Sequence, residues 1–365
     1  MKKRIGIIGL KGLPAIGGAA AVGENIIEQL KDKYEFTVYS VDSHTNNITG
    51  EYNGFMQIVF KSFFLKKINT LFYYLKSLFH VLFFSKYNLI HLHHSDAAFL
   101  IPLLKLKYPV VVTTHGSHNI GKISKWNSFH WYFKFQIRFL HYASVLTCVS
   151  KNEKKFFKKK YSLNFSYIPN GINLNKANDK FSNLIQENYI FFGAGRIIES
   201  KGCDILLKAL INMNYQGLIV IAGSLVHSKV YTEELLHMAK KLNVKFVGLI
   251  KDKELLLEYV KNSLLFVYPS YLESMSMMLL EAASVKAKII CSDIVENKDI
   301  FNENEVTFFK SKSVDDLISK IYFALNNSEL LDKKSFKAYE KLLKFYNWQI
   351  IAKKYDQIYQ KLLYD

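Results

Sequence analysis

Twice along the chain, from Lys3 and again from Tyr189, a short β-rich run leads through a glycine-bearing loop into a helical pattern. Strand-first alternation of this kind restricts a chain to parallel α/β architecture, because parallel strands need a crossover, usually a helix, to return to the same edge. In the first half, strands are predicted at Lys3 to Leu10, Phe36 to Val41, Leu89 to Leu92, Val110 to Thr114 and Ser144 to Val149, with a helix over Ala20 to Leu30. A turn follows at Ile168-Pro169-Asn170-Gly171. The pattern then restarts with strands at Tyr189 to Ala194, Leu218 to Ala222, Val244 to Val247, Leu264 to Tyr268 and Lys288 to Cys291, and a helix over Asp204 to Leu210. The expected fold is α/β, with two Rossmann-like doubly wound domains facing a cleft. Residues 1–171 form the N-terminal domain, 172–345 the C-terminal one, and 346–365 a final helix. Ligands of such sheets bind at the carboxyl ends of the strands, so the loops there hold the candidate residues.

Length and charge narrow the choice further. A chain of 365 residues with 50% apolar and 22% charged residues supports two cores and excludes a mainly disordered protein. Lys plus Arg is 49 against 31 Asp plus Glu, a formal charge of +18, which points to anionic partners: a phosphate-bearing small molecule, an acidic lipid surface or nucleic acid. The three cysteines are far apart and odd in number, which disfavours a disulfide framework and fits a reducing, cytoplasmic compartment. Met1-Lys2-Lys3-Arg4 followed by apolar residues mimics a signal peptide. Lys11 and the crowd of Gly12, Pro14, Gly17 and Gly18 fit a strand and glycine-rich loop better. No apolar run reaches the roughly 18 residues of a membrane span. Phe63 to Phe84 has three-and-four apolar spacing broken by Lys66, Lys67 and Lys76. It reads as an amphipathic helix packed on the sheet, or alternatively as one lying on an anionic membrane.

The chemistry concentrates in the second half. Gly193-Ala194-Gly195-Arg196 closes a strand, and Lys201-Gly202 opens a helix. Glycines permit a sharp turn, a helix N-terminus presents amides to an anion, and Arg196 and Lys201 add two cations, a combination suited to a diphosphate. The segment lacks the Gly-Lys-Ser/Thr ending of an ATPase loop. Further on, Tyr268-Pro269-Ser270-Tyr271-Leu272-Glu273 ends a strand, and Glu281 follows with seven residues between it and Glu273, about two helical turns further in along an apolar helix. Two such carboxylates are good acceptors for sugar hydroxyls.

Together with Gly17-Gly18, His115-Gly116, Ile168-Pro169-Asn170-Gly171, Val247-Gly248 and Asn347-Trp348, these motifs resemble family 4 of the retaining glycosyltransferases, with the two-domain fold called GT-B. The resemblance covers nearly the whole chain. It implies sugar transfer from a nucleotide-sugar donor, with no cofactor beyond that co-substrate. Arg196 and Lys201 match the donor-diphosphate ligands, Glu273 the donor-sugar contact and Glu281 the ribose contact. Gly17, Gly18 and Gly195 match donor-facing backbone. His115 matches a histidine near the reacting sugar, so His115, Arg196, Lys201 and Glu273 are the catalytic candidates. The resemblance also sends the last helix, with Trp348, back onto the first domain. The family's glycines after the first glutamate are replaced by Ser274, Met275 and Ser276, which with Met277 become donor-binding candidates through their backbone. Lys286 and Lys288 stand where a glycine and a proline are common, and read as a helix end.

No Asp-x-Asp motif is present to hold a divalent ion on a diphosphate, and Arg196 and Lys201 suit that task, so metal independence is expected. His91, His93 and His94 read as a strand end lining the cleft rather than as a metal cluster. His94, Ser117, His118 and Asn119 are the acceptor candidates, since the family places acceptor contacts in this half. The expected partners are a UDP- or GDP-sugar, a glycan or lipid-linked acceptor, and a possible anionic membrane surface on the inner face of the cell membrane. Envelope polysaccharide is the expected product class. The alternatives are a nucleotide-sugar epimerase of the same fold, or a catalytically silent sugar-nucleotide- or membrane-binding module. The lysine run from Lys151 to Lys160 reads as a solvated helix face, or alternatively as one facing an anionic membrane, and no nucleic-acid-binding module is recognised.

Overall fold

The computed structural model describes all residues except 16–17, 64–67, 117–134, 175–184, 186 and 365. It divides into two compact units, Met1–Gly171 with Trp348–Asp365, and Ile172–Asn347.

The first unit is built on an eight-stranded sheet: β1 (Lys3–Lys11), β2 (Tyr34–Val41), β3 (Gly50–Tyr52), β4 (Phe55–Phe60), β5 (Leu89–His93), β6 (Val110–Thr114), β7 (Val145–Cys148) and β8 (Phe165–Tyr167). Their spatial order is β3-β4-β2-β1-β5-β6-β7-β8. All pairs are parallel except the β3–β4 hairpin, which turns at Asn53-Gly54, both with positive φ. Side chains alternate between two apolar layers, as a pleated strand requires. Ile8, Tyr39, Ile90 and Val112 face one cluster, and Ile7, Val38, Leu89 and Val111 the other. Helices α2 (Asn69–Phe83) and α3 (Lys151–Tyr161) bury residues in the first cluster, and α1 (Gly18–Leu30) in the second. Ser150 caps α3, its Oγ accepting from the Glu153 amide at 3.3 Å.

The second unit has a six-stranded parallel sheet in the order β11-β10-β9-β12-β13-β14. Its strands are β9 (Tyr189–Arg196), β10 (Leu218–Ser224), β11 (Val244–Gly248), β12 (Leu265–Tyr268), β13 (Ile289–Ser292) and β14 (Thr307–Phe309). Its helices are α4 (Cys203–Asn212), α5 (Lys229–Ala239), α6 (Lys253–Lys261), α7 (Met277–Ser284), α8 (Val314–Asn326) and α9 (Ser328–Phe345). Ile190, Phe192, Ile219, Ile221 and Val267 face α4 and α8 in one continuous core. The unit closes where the Ile172 amide donates to the Tyr346 carbonyl at 2.7 Å and Ile172 pairs with Asn347. Lys288 does not sit at a helix end: α7 stops at Ser284, and Lys288 precedes β13, 3.1 Å from Asp332.

The last helix, α10 (Trp348–Tyr364), belongs to the first unit and packs beside α1. Its Trp348, Ile351, Ala352, Tyr355 and Tyr359 are all at most 2% exposed. Gly171 sits flat against the Trp348 ring; a Cβ there would lie 2.5 Å from Cδ2. Cys148, Cys203 and Cys291 are buried free thiols. Among the described residues no helix is long and apolar enough to cross a membrane.

Candidate active site

Strand order reverses between β9 and β12 in the second sheet, and between β1 and β5 in the first. Loops diverging from such a switch point leave a crevice at the carboxyl ends of the strands. Among the described candidates, Arg196, Lys201, Glu273 and Glu281 end or follow the two strands at the β9/β12 point, His94 follows β5 at the β1/β5 point, and His115 follows the neighbouring β6.

In the second unit, Gly195 and Arg196 end β9, both exposed, and a Cβ on Gly195 would meet nothing within 4 Å. Lys201 follows in a short 3-10 turn, and Gly202, with φ +70°, starts α4. Only glycine fits there, because a Cβ would fall 2.4 Å from the Pro269 carbonyl oxygen. The Lys201 loop is thus pressed against the loop that follows β12. The Tyr271 amide donates to the Ser200 carbonyl at 3.0 Å, completing the link.

Glu273 is the centre of this arrangement. Its Oε1 accepts from Lys201 Nζ at 2.5 Å, from Ser270 Oγ at 2.7 Å and from the Tyr268 hydroxyl. Burial, and then the charge of Glu273, push the Tyr268 phenol well above its ordinary pKa, so it stays a donor. Behind it, Ser292 Oγ donates to the Ser270 carbonyl, and Asn297 Nδ2 donates to the Ser292 carbonyl at 2.9 Å. These supports fix one carboxylate in one place, which is what a positioned acceptor of sugar hydroxyls needs.

Glu281 lies one and a half turns inside α7, 5% exposed, and forms an ion pair with Lys253 at the start of α6. Ser274 and Met277 are half-buried, whereas Met275 and Ser276 are buried. The Ser276 hydroxyl caps α7 by accepting from the Leu279 amide at 3.2 Å. Arg196 has no carboxylate partner among the described residues, in contrast to Lys201.

The first unit gathers histidines. His94 follows β5 with φ +90°, an unusual conformation for a residue with a side chain, worth about 1–3 kcal/mol of strain. Gly9, with φ +112°, passes so close that a Cβ would collide with the His93 carbonyl. His115 follows β6, its Nε2 3.4 Å from His93 Nδ1 and its ring centroid 5.1 Å from that of His94. The next amide, Gly116, donates to the fully buried Glu153 carboxylate at 3.2 Å, which fixes the loop behind His115. Gly18 opens α1 and is exposed, while Gly17, Ser117, His118 and Asn119 lie outside the described residues.

One expectation is corrected. His91 and His93 do not line an open strand end; both are fully buried. His91 bridges Tyr359 of α10 through Nδ1 and Thr113 through Nε2, each at 2.7 Å, and Thr113 continues to Thr147 at 2.6 Å. Among the described residues no three His, Cys, Asp or Glu side chains are arranged to hold a metal ion.

Burial lowers the His91 pKa to about 3. It lowers His93 and His115 well below the ordinary imidazole range, with neighbouring histidines adding to the effect. The unfolded chain therefore binds protons that the folded one refuses below the ordinary value of 6.5. The contribution of His91 to stability is fully present above pH 6.5 and is lost as pH falls toward 3. At pH 5 the loss from His91 is on the order of 2 kcal/mol, and His93 and His115 act in the same direction. Urea midpoints at pH 7 and pH 5 check this, with His91→Asn expected to show a smaller difference between them.

Tyr268, Ser270, Lys253 and Glu153 were not singled out by sequence reasoning. Tyr268 and Ser270 flank Pro269 in a motif already noted, and their proximity to Glu273 was the available signal. Lys253 and Glu153 reach their partners only through tertiary packing.

Two doubly wound units, with described candidate residues at the carboxyl ends of their strands, are the architecture of the GT-B fold. Solved structures with that fold agree. Sucrose-phosphate synthase from Thermosynechococcus elongatus superposes with a TM-score of 0.85 at 19% identity, over 99% of both chains. Anabaena HepE in complex with UDP-glucose gives 0.79 at 15%, over 98% of this chain and 100% of the other. Residues 16–176 match the family model described as Glycosyltransferase Family 4, and residues 175–341 the one described as Glycosyl transferases group 1. The chain belongs to family 4 of the glycosyltransferases. The capsular polysaccharide biosynthesis glycosyltransferase CapM of Staphylococcus aureus is 22% identical over 194 residues, 52% of this chain and 50% of that protein. The match thus spans about half of CapM.

Proposed function

We propose that the protein is a retaining, metal-independent glycosyltransferase. It moves a sugar from a nucleoside-diphosphate sugar, UDP- or GDP-linked, to a glycan or lipid-linked acceptor in envelope polysaccharide biosynthesis. It works in the cytoplasm, at the inner face of the cell membrane. The observation that carries this reading is the placement of Arg196, Lys201, Glu273 and Glu281 together at the switch point of the second sheet.

In this reading Arg196 and Lys201 take the donor diphosphate, and Glu281 takes the ribose hydroxyls, in exchange for its ion pair with Lys253. Glu273 accepts from a hydroxyl of the transferred sugar. When the bond from the anomeric carbon to the diphosphate oxygen breaks, negative charge grows on the leaving phosphate. Cations and helix amides already in place lower the barrier, since they need no reorganisation as the charge develops. That preplaced charge supports turnover without a divalent ion. Retention follows from attack on the face the diphosphate leaves. His115, kept neutral by burial, is suited to a hydrogen bond with the reacting sugar. HepE, caught with UDP-glucose, and CapM, named for capsular polysaccharide, support the donor and product classes.

The test is release of nucleotide from UDP-, GDP- and dTDP-sugars in the presence of EDTA. Slow release from one donor is expected. Release that requires added Mg²⁺ or Mn²⁺ would remove metal independence. No release, together with no thermal shift on adding UDP or GDP, would sink the reading.

A further inference from the structure

The charge of the chain is not evenly spread. The first 171 residues hold 23 Lys and Arg against 8 Asp and Glu, whereas the remainder holds 26 against 23. Residues 52–152 contain twelve Lys and Arg and a single acidic residue, Asp96.

The same stretch contains α2, which has two apolar faces. Tyr73, Tyr74, Leu78 and Val81 are buried against the sheet. On the other side Leu71, Leu75, Phe79 and Phe83 are 46%, 43%, 56% and 68% exposed. These positions are four residues apart, so they form one stripe along a helix of about 22 Å. Phe84 extends it, also 68% exposed, with the Phe79 ring centroid 4.9 Å from that of Phe83 and 5.6 Å from that of Phe84. At the end of α2, Lys107 Nζ donates to the Leu82 carbonyl at 2.6 Å, which brings exposed Leu106 into the same neighbourhood. Lys61, Lys86, Lys105 and Lys107 are exposed around it. The buried side of α3 belongs to the same core cluster, so its exposed Lys154, Lys155, Lys158, Lys159 and Lys160 lie on the same layer of the unit.

We infer that this layer docks on an anionic lipid bilayer, with the Leu71–Phe83 stripe sunk to the acyl boundary and the lysines among the headgroups. This deepens the proposed location at the membrane and rests on it. An apolar stripe rimmed by lysines is the composition of a helix lying in the interfacial plane. Each cation near an anionic leaflet adds attraction that falls off within a Debye length. A second copy of the chain is the poorer occupant, because it would bring the same excess of positive charge to the contact. The stripe also differs from a nucleic-acid surface, which pairs cations with phosphates and leaves no reason for four exposed Leu and Phe in line.

The experiment is co-sedimentation of the full chain with vesicles of phosphatidylcholine alone, or with phosphatidylglycerol added. Binding is expected only when phosphatidylglycerol is present, and is weakened by high salt. The double variant Phe79→Ser/Phe83→Ser is expected to bind at least about ten-fold more weakly, since two large apolar side chains leave the interface. Its nucleotide release from the donor should be unchanged, which separates failure of docking from failure of the transfer chemistry. Phe79→Cys carrying an environment-sensitive dye should shift to the blue on the same vesicles. Equal binding by the double variant, equal binding to neutral vesicles, no binding at all, or loss only of self-association in sedimentation would each overturn the inference.

Discussion

Lys201→Ala is expected to lower nucleotide release from the donor by about 100- to 1,000-fold, the usual loss when one preplaced donor to developing charge is removed. The fall should appear in kcat more than in KM, because charge on the leaving phosphate grows in the transition state. The side chain donates to Glu273 Oε1 together with Tyr268 and Ser270. Its removal leaves Tyr268 and Ser270 in place, so the loop keeps its shape. The stability lost is that of one hydrogen bond to a charged group, about 1.5–3 kcal/mol. Arg196→Ala is the informative companion. Arg196 has no carboxylate partner among the described residues, so it should lose turnover with almost no change in unfolding midpoint. Tyr268→Phe should fall between them, because it removes support for Glu273 but no cation. A pattern in which all three variants lose activity in proportion to lost stability would assign Lys201 a structural role and remove it from the chemistry.

The middle of the second sheet was readable because its strands are apolar runs, which is what a strand buried on both faces requires, and Leu265–Tyr268 begins and ends within a residue of expectation. The edge strand Val244–Gly248 also falls within a residue of expectation, although Lys245 interrupts it and none of its residues is fully buried. The β3–β4 hairpin was not foreseen, although Asn53-Gly54 between Tyr52 and Phe55 is a strong short-range turn signal. A strand-first pattern looks for a helix after each strand and passes over a hairpin. The three-residue strands Phe165–Tyr167 and Thr307–Phe309 are too short to show any period. At the site, Arg196, Lys201 and Glu273 were legible because each ends or follows a strand, and Glu281 because it stands in the apolar helix just beyond Glu273. The Lys253–Glu281 ion pair was not, since nothing local ties α6 to α7. His91 was misread for the same reason: its partner, Tyr359, arrives from the far end of the chain, 268 residues away.

That return is the basis of the largest expected effect on stability. Ending the chain after Asn347 removes α10 and should unfold the first unit. Trp348, Ile351, Tyr355 and Tyr359 are each at most 2% exposed, and burial of a large apolar side chain is worth roughly 1.5–3 kcal/mol. Four such losses amount to roughly 6–12 kcal/mol, comparable to the whole stability of about 5–15 kcal/mol typical of a domain. The polar losses add to this. His91 Nδ1 would lose the Tyr359 hydroxyl, and Lys33 and Tyr34 would lose Asp356, which each contacts at 2.6 Å. The second unit keeps its core, because Ile172 closes on Tyr346 and Asn347, both retained. Limited proteolysis should therefore cut the truncated chain within residues 1–171 and spare a fragment beginning near residue 172. Tyr359→Phe separates packing from polarity. It keeps the ring in place and removes one hydrogen-bond partner of a buried imidazole, so it should cost about 1–3 kcal/mol. If the truncated chain instead unfolded with an unchanged midpoint, α10 would be an accessory to the first unit rather than part of its core.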